Sequence, residues 1–252
     1  MTAALAGVSI LLGTVYTSYG IVTVIDLARG WRRYGLSHFG LAWIAMAFTC
    51  GPHHLDHGLH LALTGRSAGA WELVAVVIGI PAGVAWFLLR LEALAGGRGD
   101  RIVSGLPVWL RAIPYLAVVY VVALTGGLTA VLAGDFEFPP TTPNNLLLVV
   151  LYVMIGWYLL RTQLANFART RLWSVSGIAL TIVFPTCALM HLAWAAYLMS
   201  GHYAIDWHGF MIDWLSVPAA FYFLWVVRGL HLGLVRDWNQ ATTGVVTERV
   251  PA

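Results

Sequence analysis

The amino-acid sequence predicts an all-α integral membrane protein, a single bundle of seven transmembrane helices. Three observations predict it. The 252-residue chain is 60% hydrophobic and 10% charged, with a mean hydropathy of +0.78, whereas an ordinary soluble domain carries about 25% charged residues. Seven apolar runs of the length that crosses a bilayer, roughly 20 residues each, occupy the chain and leave no room for a soluble domain. The basic residues, all arginine, gather in short segments between alternate runs. A water-soluble enzyme and a disordered chain are thereby excluded. So is a retinal protein, because a Schiff base needs a lysine amine and no lysine is present. Arginines scattered over short loops form no nucleic-acid surface; the expected partner is the lipid bilayer.

The runs span approximately residues 3–26, 38–64, 71–95, 109–133, 145–167, 173–200 and 208–233. Helices are the economical solution, since an open strand edge in lipid leaves amides unpaired. Gly30-Trp31-Arg32-Arg33 ends the first run and Gly65-Arg66 the second. The third stops at Gly96-Gly97-Arg98-Gly99-Asp100-Arg101. The stretch from Pro139-Pro140 to Asn145 separates the fourth from the fifth, Arg169-Thr170-Arg171 the fifth from the sixth, and Gly201-His202 follows the sixth. The start Met1-Thr2-Ala3 lacks the basic region of a cleavable signal, so the first helix is expected to stay.

Arginine placement sets the expected orientation. Arg29, Arg32, Arg33, Arg90, Arg98, Arg101, Arg111, Arg161, Arg169, Arg171, Arg228, Arg236 and Arg249 fall on one side, and Arg66 alone on the other. The amino terminus is therefore expected outside and the carboxyl tail in the cytoplasm, in a bacterial plasma membrane. Cys50 and Cys187 lie inside apolar runs and do not form a secreted disulfide framework.

With that orientation, His38 and His231 fall at cytoplasmic ends, and the other seven histidines lie between mid-membrane and the outer surface. Asp56, Glu72, Asp135, Glu137, Asp206 and Asp213 share the outer half. Ionisable groups in a membrane are expensive and mark functional sites. The densest stretch is Gly51-Pro52-His53-His54-Leu55-Asp56-His57-Gly58-Leu59-His60. At 3.6 residues per turn, Cys50, His53, Asp56, His57 and His60 share a face about 120° wide, with His54 off it. Spacings of i,i+4 (His53/His57) and i,i+3 (His57/His60) place two imidazoles on one ion. The sixth run adds Cys187, Met190 and His191, again with an i,i+4 pair. Pro52 and Pro185 loosen the two helices beside these groups. Asp213 reaches a similar depth from the seventh run, and Glu72 matches His60. Residues 201–208 form an expected lid. The tryptophans are read mostly as interface anchors, and Gly126-Gly127 as a close helix contact.

These residues predict a metal-binding membrane protein, a metalloenzyme or oxidoreductase subunit. His53, His57 and His191, with His60 beside them, are the expected ligands. Asp56, Glu72 and Asp213 are the expected acid–base or supporting carboxylates. Imidazole and carboxylate suit copper, zinc or iron. An outward-opening site suits a lipid-like or small apolar substrate, and other membrane subunits are expected partners. Two alternatives draw on the histidines as well. One is a haem b cytochrome with axial pairs His38/His231 and His53/His191. The other is a metal-ion or proton transporter, against which stand the apolar inner halves of the runs.

Overall fold

The computed structural model describes residues 1–65, 69–104, 113–133, 140, 142–199, 207–235 and 237. Among them are seven helices: α1 (Thr2–Tyr34), α2 (His38–Thr64), α3 (Ala70–Leu94), α4 (Ile113–Ala133), α5 (Thr142–Thr170), α6 (Val175–Met199) and α7 (Trp207–His231). Two three-residue strands, β1 (Ile102–Ser104) and β2 (Leu172–Ser174), complete the elements. Each helix coincides with one apolar run to within a few residues, apart from α1, which continues to Tyr34. Five helices are long and apolar enough to cross a membrane: α1, α3, α5, α6 and the Met211–His231 stretch of α7. In α2, His38, His53, His54, His57, His60 and Asp56 dilute the apolar residues. The described apolar stretch of α4, Val118–Thr129, is short.

Six helices close a ring in the order α1, α2, α7, α5, α6, α3 and back to α1, while α4 stands outside it against α6. Glycines set the tightest contact. A Cβ on Gly13 of α1 would lie 2.8 Å from the Gly51 carbonyl, and one on Gly51 would lie 2.8 Å from the Thr17 amide. Bare backbone on both sides lets α1 and α2 meet at a distance no larger side chain permits. Gly51 and Gly58 occupy the side of α2 opposite His53, so this contact turns His53 away from α1 and toward the bundle interior. Gly127 plays a similar part for α4, where a Cβ would come within 2.9 Å of Leu192.

One end of the ring is clipped together. β1 and β2 pair antiparallel, Val103 opposite Trp173, and join the α3–α4 and α5–α6 connections. Asp100 strengthens the clip: its carboxylate accepts from the Ser174 hydroxyl at 2.6 Å and the Ser176 amide at 2.9 Å. Asp237, beyond α7, accepts from the Phe39 amide at 2.7 Å and so ties the chain after α7 to the start of α2. Below the site the core is aromatic: Trp43 stacks on Trp86, and Phe184 on Phe223.

Candidate functional site

The buried polar side chains gather toward the other end of the ring, where α2, α3, α5, α6 and α7 face one another. α2 supplies His53, His54 and His57, all buried; α3 supplies Glu72, α5 Asn145, α6 His191 and Trp194, and α7 Asp213. Glu72, Asn145 and Asp213 have no exposed surface. Two linked groups result.

In the first, His53 Nδ1 lies 2.9 Å from Asp213 Oδ1. The other carboxylate oxygen accepts from Asn145 Nδ2 at 2.8 Å, and Asn145 Oδ1 lies 2.6 Å from His191 Nδ1. The chemistry of each group fixes the proton positions. An ionised carboxylate only accepts, so the Asn145 amide must turn its NH₂ toward Asp213. Its carbonyl then faces His191, which donates from Nδ1–H and keeps a lone pair on Nε2. His53 Nδ1 meets the remaining Asp213 oxygen as a close ion-pair contact.

In the second group, Trp194 Nε1–H donates to Glu72 Oε1 at 2.7 Å. Indole N–H is donor only, so that oxygen is the acceptor. The same oxygen meets His57 Nε2. Trp194 couples the groups: its ring stacks on His53 at 4.2 Å and meets His57 and His191 edge-on, each at 5.2 Å.

Five of the seven predicted site residues, His53, His57, His191, Glu72 and Asp213, are thus in one cluster. Asp56 and His60 are half-buried at its margin. They border the side of α2 that carries the exposed Leu59 and Leu63. Among the described residues, no three His, Cys, Asp or Glu side chains are arranged to hold one metal ion. The physical reason is Trp194, which occupies the middle of the histidines. Glu72 pairs with His57. His54, placed off the site face by the helical wheel, is fully buried. Two histidines away from the cluster bond to hydroxyls: His38 Nδ1 to Tyr222 at 3.0 Å and His231 Nδ1 to Thr162 at 3.1 Å. Cys50 Sγ lies 3.2 Å from the Tyr152 hydroxyl. Asp135, Glu137, Asp206, Arg66, the side chain of His208 and the expected lid from 201 lie outside the described residues.

Sequence reasoning missed Asn145 and Trp194. Neither carries charge, and Asn145 reads as the polar edge of its run. Its signal is the doublet Asn144-Asn145, polar and fully buried at a helix start. Comparisons with protein families, with curated proteins and with solved structures find no match for this chain.

Proposed function

We propose that this is a seven-span membrane protein, amino terminus outside, whose outer-half His–carboxylate core binds and exchanges protons. One observation carries the reading: two carboxylates with no exposed surface, Glu72 and Asp213, each face an imidazole. An uncompensated anion inside a bundle costs several kcal/mol. One proton shared within each pair would cancel that charge. Removing a proton forces the amide, imidazole and indole dipoles to rearrange. Proton occupancy is thereby coupled to the conformation of five helices, as a proton-coupled transporter or an acid–base enzyme requires.

A metal-binding reading keeps one specific support. His53, His57 and His191 each have one ring nitrogen against a carboxylate or amide oxygen. This is how metal-ligating histidines are oriented and made more basic. On this reading His53 Nε2 and His191 Nε2 would face a copper, zinc or iron ion.

One preparation, the 252-residue protein in lipid nanodiscs, separates the two. Infrared difference spectra on acidification should show protonated-carboxyl bands, one lost in Asp213→Asn and another in Glu72→Gln. If both variants titrate like wild type, the proton reading fails. Elemental analysis of the same sample should find no stoichiometric transition metal. Stoichiometric metal that His191→Ala abolishes would install the metal reading in its place.

A further inference from the structure

The ring is built twice from the same three-helix unit. α1 packs on α2 and α3 as α5 packs on α6 and α7, and α3 meets α6 as α7 meets α2. α4, outside the ring, is the connector. The sequence carries the same relation. Thr49-Cys50-x-x-x-His54-Leu55 on α2 recurs as Thr186-Cys187-x-x-x-His191-Leu192 on α6, a constant shift of 137 positions. Ser37 and Gly40 recur as Ser174 and Gly177, and Pro81 as Pro218, at the same shift. One residue less relates Tyr16 and Gly20 of α1 to Tyr152 and Gly156 of α5.

Matching residues make matching contacts. Ser37 Oγ caps α2 by accepting from the Gly40 amide at 2.9 Å, and Ser174 Oγ accepts from the Gly177 amide at 2.9 Å. Thr49 donates back to the carbonyls of Ala45 and Met46, and Thr186 to those of Ile182 and Val183. Tyr16 meets the His54 ring at 5.7 Å and 66°, Tyr152 the His191 ring at 5.4 Å and 64°. Tyr152 reaches across to Cys50 of the other unit, and Tyr16 stands beside Cys187.

The two halves differ in what holds this histidine. Asn145 holds His191 in the second unit. The corresponding α1 residue, at the Tyr16/Tyr152 shift, is Ser9, whose side chain lacks the carboxamide. His54, the mate of His191, then has neither ring nitrogen hydrogen-bonded among the described residues, and Ser9 Oγ has no partner either. Both residues have no exposed surface. A buried polar group left unmatched costs about 1–3 kcal/mol, and here three such atoms belong to one repeat-related position. From this we infer that the first unit holds a binding site between Ser9 and His54. Its ligand is a small neutral molecule offering both a hydrogen-bond donor and an acceptor, which supplies what the Asn145 amide supplies in the second unit. Water and the amide head of a small solute share that chemistry.

Magnetic resonance on the 252-residue protein with ¹⁵N-labelled histidine in nanodiscs tests this, with water and acetamide as probes. His54 ring nitrogens should show a contact to bound water, or a shift on adding acetamide that identifies a solute site. Ser9→Asn should abolish either signal and raise the melting temperature by several degrees, because the new amide repeats the Asn145–His191 bond. Asn145→Ser should create the same signal at His191. Absence of both water and acetamide contact at His54 in the wild type overturns the proposal. So does a Ser9→Asn protein that folds yet leaves the His54 signal unchanged.

Discussion

Trp194 shows how one side chain decides what a cluster of histidines does. Its indole gives the Glu72 carboxylate a second donor and covers one face of His53. Trp194→Phe keeps the stacking and removes the N–H, leaving a buried carboxylate one donor short, which costs about 1–3 kcal/mol. Trp194→Leu loses the ring as well and should destabilise further. Denaturant unfolding in detergent, compared between the two variants, checks this; equal stability of Trp194→Phe and wild type would remove Trp194 from the network. At this scale the sequence was partly legible. Charged and ionisable residues announce themselves in an apolar run, which is why His53, His57, His191, Glu72 and Asp213 were found. Asn145 and Trp194 announce nothing, because an amide and an indole are ordinary in a membrane helix.

Between helices, the legible part was periodicity and the illegible part was which neighbour covers which side. The wheel grouped Asp56 and His60 with His53 correctly by angle. It could not show that α1 and α7 flank α2 so as to bury His54 and leave the Asp56 side near the exposed Leu59. The α1–α2 contact is what sets this rotation, and it depends on glycine. Gly51→Ala puts a methyl 2.4 Å from Thr17 Oγ1 and 2.8 Å from the Thr17 amide. Overpacking of this kind costs about 1–3 kcal/mol, and here it also rotates or displaces the histidine helix. Gly7→Ala is the matched control, since nothing lies within 4 Å of a Cβ there. It should be neutral or slightly stabilising. Thermal unfolding should therefore separate the two glycines of α1 and α2 clearly. If both substitutions leave the melting temperature unchanged, close approach does not set this interface.

For the molecule as a whole, the seven apolar runs sufficed to place seven helices, because length and hydropathy are local properties. The ring order was not legible, since nothing in a run states its neighbours. Orientation joins the two kinds of information. The β1–β2 clip and the Asp100 bonds fix the α3–α4 and α5–α6 connections at one end, with Arg98, Arg101, Arg169 and Arg171. The Phe39–Asp237 bond joins the α1–α2 connection, with Arg29, Arg32 and Arg33, to the chain following Arg228. Alternating helix directions bring both connections to the same end, so these arginines act as one basic surface. Such surfaces stay on the cytoplasmic side during insertion. A reporter fluorescent only in the cytoplasm should therefore be bright when fused after residue 252. Moved to the amino terminus, it should be dark. The opposite pattern would put the His–carboxylate core in the inner half of the membrane and overturn the proposed orientation.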